Sequence, residues 1–210
     1  MASILDYSFV FIIAVFLPYV VIKSARRLAA AGAPAPDKRR SLIATIINLE
    51  ILGYLAIVVA YRRGEAIFVP WHPTGREIGI GIVLLIALLQ SRYLLRGWIR
   101  KTQPRYARFM APRSWAEFPL WTLVSICAGF FEEIIYRGVL YQILFSLTGS
   151  VPAAVLFAVV PFGIVHWRQG IRSVVFITVL SVMLHGLVLF SGTLYMAMIV
   201  HTTYDFLAGI

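Results

Sequence analysis

Charge and sulfur are what this chain has least of. Only 13% of its 210 residues are charged, against 60% hydrophobic, which is too little polar surface to cover a water-soluble globule and predicts an integral membrane protein. The single cysteine, Cys127, excludes an intramolecular disulfide and any zinc site built on thiolates. It lies in an apolar run and reads as a packing residue. Acidic residues are outnumbered by basic ones, nine to nineteen. The basic excess falls in short segments beside apolar runs, where topology and anionic lipid account for it, so nucleic acid is not an expected partner. The chain has no low-complexity tract and no ten-residue alternation of a membrane barrel. It also lacks the internal repeat of many transporters and the His-Glu-x-x-His motif of common zinc proteases.

What remains is long apolar helix. The runs predict an all-α, polytopic transmembrane bundle of about seven spans, at residues 4–22, 42–61, 78–95, 118–146, 153–166, 173–190 and 193–208. The first run has no basic stretch ahead of it and is followed by Lys23, Arg26 and Arg27, so it reads as a retained span and not a signal peptide. Two strongly basic segments flank the odd-numbered spans. One carries Lys23, Arg26, Arg27, Lys38, Arg39 and Arg40 around the Ala-Gly-Ala-Pro-Ala-Pro stretch. The other carries Arg92, Arg96, Arg100, Lys101, Arg105, Arg108 and Arg113, and reads as a solvated loop or a partly amphipathic helix. The positive-inside rule puts both on the cytoplasmic side, the N-terminus outside and the C-terminus inside. Arginine far outnumbers lysine, a hint toward a bacterial inner membrane. Residues 1–117 form an N-terminal part without motifs and residues 118–210 a second part, together one membrane-embedded unit.

The second part carries ionisable residues at bilayer depth. Such groups cost about 2.5–3.5 kcal/mol each on insertion scales and therefore face a protein interior or a wet cavity. Glu132 and Glu133 are adjacent, with Arg137 four residues after Glu133, so Glu133 and Arg137 share a helix face and can pair. Glu132 lies about 100° around the helix and points elsewhere. One carboxylate is thus held and the other left free for chemistry. Phe162 and His166 are four apart in the fifth span, with Pro161 beside them, and His201 and Asp205 are four apart in the seventh. His201 and Asp205 could act on one substrate atom, or Asp205 could orient the imidazole. Gly129 and Gly138 permit close helix approach. Asn48 and Glu50 read as an interhelical hydrogen bond or a cavity lining, His185 as structural, and His72 beside Trp71 as an interfacial loop residue.

Three motifs in order, Glu132-Glu133-Ile-Ile-Tyr-Arg137, Phe162-Gly-Ile-Val-His166 and His201-Thr-Thr-Tyr-Asp205, resemble those of the CAAX-protease and bacteriocin-processing (CPBP, or Abi) intramembrane proteases, which include the Rce1-type prenyl-protein endopeptidases. The resemblance covers residues 118–208. It implies hydrolysis of a peptide bond in a membrane-associated, possibly prenylated, CAAX-type substrate. Glu132 would be the general base with His166 on a water, His201 and Asp205 would stabilise the oxyanion, and Glu133, Arg137 and Phe162 would support them. Asp205 departs from the family's usual Asn, because an ionised carboxylate cannot donate to an oxyanion. It must be protonated, act through His201, or serve as a metal ligand. Glu132, His166, His201 and Asp205 could together hold a zinc-like divalent cation, although the missing His-Glu-x-x-His tilts the reading toward no metal cofactor. A non-catalytic immunity or partner-binding scaffold and an ion-coupled transporter are the competing functions.

Overall fold

The computed structural model describes residues 2–30, 37–103 and 110–209. Among them the chain is helical, without strands. Helix α1 runs through Ile4–Phe11, a π-helical turn Ile12–Phe16, and Leu17–Ala30. Helix α2 is Lys38–Arg63, α3 Gly75–Arg100, α5 Val151–Ile164, α6 Ile171–Ser191 and α7 Tyr195–Ala208. Helix α4 is a continuous 34-residue element, Trp115–Thr148, whose centre, Ala128–Leu140, is wound as π-helix.

Local chemistry sets these ends. Ser3 and Thr74 each close a capping box, with Asp6 and Glu77 reaching back, which satisfies amides that the first turn leaves free. Asp37 and Ser150 cap α2 and α5. Gly64, Gly149 and Gly192 end α2, α4 and α6 with φ of 70°, 63° and 69°, a conformation that costs a side-chain-bearing residue about 1–2 kcal/mol.

Among the described residues seven helices stand where the seven runs were expected, but they are not equal. Five are long and apolar enough to cross a membrane. Helices α5 and α7 have 14 residues each, about 21 Å at 1.5 Å per residue, short of a hydrocarbon core of about 30 Å. Other helices overrun their predicted ends. Lys23, Arg26 and Arg27 continue α1, and Arg96 and Arg100 continue α3, because long basic side chains can leave their stems on apolar surface while the charge reaches water. The Ala-Gly-Ala-Pro-Ala-Pro stretch, Arg105 and Arg108 lie outside the described residues, so the amphipathic-helix expectation rests there. Pro161 is accommodated inside α5.

Helix α4 is the axis. It packs on α2, where Phe131 covers Gly53, and on α7, where a Cβ on Gly129 would come within 2.6 Å of the Thr202 backbone nitrogen. Gly138 meets Leu194 at 3.1 Å in the same sense. Both expected glycines therefore sit at close approaches. Gly163 and Thr178 bring α5 onto α6.

The basic segments share one end of the bundle. Lys38 Nζ reaches Glu117 at 2.7 Å and the Ala111 carbonyl at 2.6 Å, tying α2 to the start of α4. Arg172 Nη1 donates to the Trp98 carbonyl at 3.0 Å, tying the start of α6 to the end of α3. At the opposite end Arg63 pairs with Asp6 at 2.9 Å and Glu65 at 2.8 Å, and the Tyr195 hydroxyl donates to the Val69 carbonyl at 3.0 Å.

Candidate active site

The contact at Gly129 decides what α4 and α7 present to each other. With no side chain there, the two backbones close up, and one turn further along α4 its carboxylates meet the α7 imidazole. Glu133 Oε1 accepts from His201 Nδ1 at 2.7 Å and lies 3.1 Å from Arg137 Nη1. Both Glu133 and Arg137 have fully buried side chains. The Arg137 contact is close but not aligned as a hydrogen bond, because Nη1 has no bonding partner. Its Nη2 donates to the Ser181 hydroxyl at 2.7 Å and to the Ser181 carbonyl at 3.3 Å. The guanidinium carbon stands 4.4 Å from the centre of the Phe162 ring, where the ring's negative face attracts the cation.

Phe162 is the hub of the pocket wall. Its ring lies 5.0 Å from that of His166, 6.1 Å from His201 and 4.9 Å from Tyr136, and it is itself 1% exposed. His166 stands just past the end of α5, at the entry to a short 3-10 turn, Trp167–Gln169. Its Nδ1 bonds the Phe162 carbonyl at 2.8 Å. A carbonyl only accepts, so this nitrogen carries the proton, and in the neutral ring Nε2 is left as an acceptor.

Two carboxylates face the other nitrogen of His201. Glu132 Oε2 lies 3.8 Å and Asp205 Oδ2 3.6 Å from Nε2. These distances exceed a direct hydrogen bond and suit a water or a reacting oxygen between the groups. The side chains of Glu132 and Asp205 are 15% and 33% exposed, whereas His201 is 4%, so the site opens on its carboxylate side. The structure therefore brings Glu132, Glu133, Arg137, Phe162, His166, His201 and Asp205 into one neighbourhood. The imidazole of His201 is held by Glu133, with Asp205 at its far nitrogen. As to a cation, no three His, Cys, Asp or Glu side chains converge closely enough to hold one among the described residues.

Ser181 was not legible as a site residue, although a hydroxyl one turn before His185 in apolar α6 was an available signal. His185 is buried edge-on against Tyr141, 4.8 Å between ring centres, with neither ring nitrogen hydrogen-bonded. Asn48 and His72 are exposed, and Glu50 is half-buried on α2.

No curated protein and no solved structure matches the chain. Residues 114–207, from the start of α4 nearly to the end of α7, match the family model described as Rce1-like, type II CAAX prenyl endopeptidase Rce1-like. Over that segment, less than half of its length, the chain is similar to the Rce1-like family.

Proposed function

We propose that this protein is an intramembrane endopeptidase for membrane-associated, prenylated CAAX-type substrates, with residues 118–210 as its catalytic core. The observation that carries the reading is a pair of imidazole nitrogens: His166 Nε2 as an acceptor, and His201 Nε2 facing Glu132 and Asp205.

A water between Glu132 and His166 loses its proton to the Glu132 carboxylate as its oxygen bonds to the scissile carbonyl carbon. The carbonyl π electrons move to oxygen, and the oxyanion takes a hydrogen bond from His201 Nε2, which must then carry a proton. Glu133, bonded to Nδ1, stabilises the imidazolium this requires. Asp205 contributes in its neutral form, as a donor, or by acting on His201. Collapse breaks the C–N bond, and the proton on Glu132 passes to the departing amine. General-base action and oxyanion stabilisation each contribute on the order of a hundredfold in rate or more. The N-terminus lies outside and the C-terminus in the cytoplasm of a bacterial-type inner membrane, with the arginine-rich end inward.

The test is cleavage of membrane-anchored peptides, with and without a prenyl group, by purified protein in detergent, comparing wild type with Glu132→Ala and running each with and without a strong chelator. Cleavage that falls at least a hundredfold in Glu132→Ala and is indifferent to chelator is the expected result. Loss with chelator and rescue by zinc would make the enzyme metal-dependent. No cleavage of any peptide by wild type would shift the weight to a scaffold or a transporter.

A further inference from the structure

Helix α3 belongs to the half of the chain that carries no motif, yet it runs along α7. Gly81, Leu88 and Arg92 recur at helical spacing on the face that meets it: Gly81 abuts Met196 and Val200, Leu88 joins the cluster holding Val200 and Tyr204, and Arg92 Nη2 donates to the Ala208 carbonyl. Arg92 therefore stands at the rim of the site, beyond Asp205. It is exposed, within reach of the Tyr204 hydroxyl, and close enough to act electrostatically on Asp205. The other arginine that bears on the site's carboxylates, Arg137, is fully buried and engaged with Glu133 and Ser181.

A guanidinium has five N–H donors in a planar fork suited to a carboxylate. The Ala208 carbonyl takes one from Nη2 and the Tyr204 hydroxyl is within reach of another, which leaves further donors on an exposed side chain. Ala208 follows Asp205 by three residues, about 4.5 Å along the helix axis at 1.5 Å per residue. A CAAX substrate ends three residues after its modified cysteine, so the fragment released carries a free carboxylate about 10 Å or less from the scissile bond, at 3.3–3.6 Å per extended residue.

Resting on the protease reading above, we propose that Arg92 is a specificity-determining residue that binds the terminal carboxylate of the substrate. It measures off the short C-terminal segment and confines cleavage to chains that end there. The first half of the protein would then contribute the substrate ruler, and the second half the chemistry.

The experiment compares a prenylated CAAX peptide bearing a free C-terminus with the same peptide amidated, using wild type, Arg92→Ala, Arg92→Lys and Arg92→Glu in detergent, with thermal melting of each as a folding check. In wild type the free acid is expected to exceed the amide at least tenfold in kcat/KM, chiefly through KM. Arg92→Ala brings the acid down to the level of the amide, Arg92→Lys keeps part of the preference, and Arg92→Glu inverts it. Equal cleavage of acid and amide by wild type overturns the proposal without needing any variant, and so does an Arg92→Ala enzyme that melts normally and keeps the full preference. Absence of cleavage of both peptides by wild type overturns the protease reading itself, and this assignment with it.

Discussion

Two arginines, Arg63 and Arg137, each gather acidic partners inside this bundle, on different plans. Arg63 joins the start of α1 to the end of α2 with two carboxylates of its own, Asp6 at 2.9 Å and Glu65 at 2.8 Å, and stays partly open to solvent. Arg137 is sealed, has one carboxylate for an ionic partner, and shares it with a histidine. The first cluster closes on itself. The second passes its charge onward to an imidazole whose far nitrogen faces the open side of the site. An ion pair that ends in its own partners fastens helices, whereas one whose carboxylate is shared can also set the orientation and protonation of a reacting group.

Variants that treat the two clusters alike should separate those roles. Arg137→Ala leaves Glu133 buried and unpaired, for which about 3–5 kcal/mol is typical. Folded yield in detergent and peptide cleavage should both collapse. Full yield with full activity in that variant would end the idea of a supporting pair. Glu133→Gln keeps the shape and an acceptor for His201 Nδ1 but removes the charge that favours the imidazolium. Cleavage should drop on the order of a hundredfold while much of the folded yield is retained, as measured by kinetics beside size-exclusion recovery. If yield falls and the remaining folded fraction cleaves at the wild-type rate, Glu133 is no more than a fastener. Arg63→Ala should cost stability alone, about 1–3 kcal/mol, because the buried Asp6 carboxylate loses its ionic partner and keeps only the Ser3 amide. A lower melting temperature with kcat intact is the expected pair of readings, and a loss of kcat would show that the two ends of the bundle are coupled.

How much of this could be read beforehand follows from the range of the forces involved. Helix positions were legible, because an apolar run and the residues that cap it act within a few positions of one another. The division between Glu132 and Glu133, one open and one sealed, followed from their adjacency on a helix. The shortness of α5 and α7 was already present in the expected runs, 153–166 and 193–208, against Val151–Ile164 and Tyr195–Ala208 in the structure. The π-helical winding of Ala128–Leu140 has no residue signature; it arises in a segment squeezed between α2 and α7, with Phe131 over Gly53 on one side and Gly129 on Thr202 on the other. The bond between Glu133 and His201 links residues 68 apart, and local spacing could suggest only the nearer pairing of His201 with Asp205. The parts played by Ser181 and Arg92 escape local spacing for the same reason, since each matters only through what another helix brings beside it.

The 68-residue separation between Glu133 and His201 also bears on when the site can assemble. Ribosomes deliver α4 to the bilayer well before α7. Until α7 follows, the nascent chain holds Glu132 but no His201 or Asp205, and Gly129 has nothing to close against. On the protease reading proposed above, the enzyme is thereby inert throughout most of its own synthesis and insertion, when neighbouring chains lie unfolded beside it. Products that stop short of α7 lack the assembled site as well.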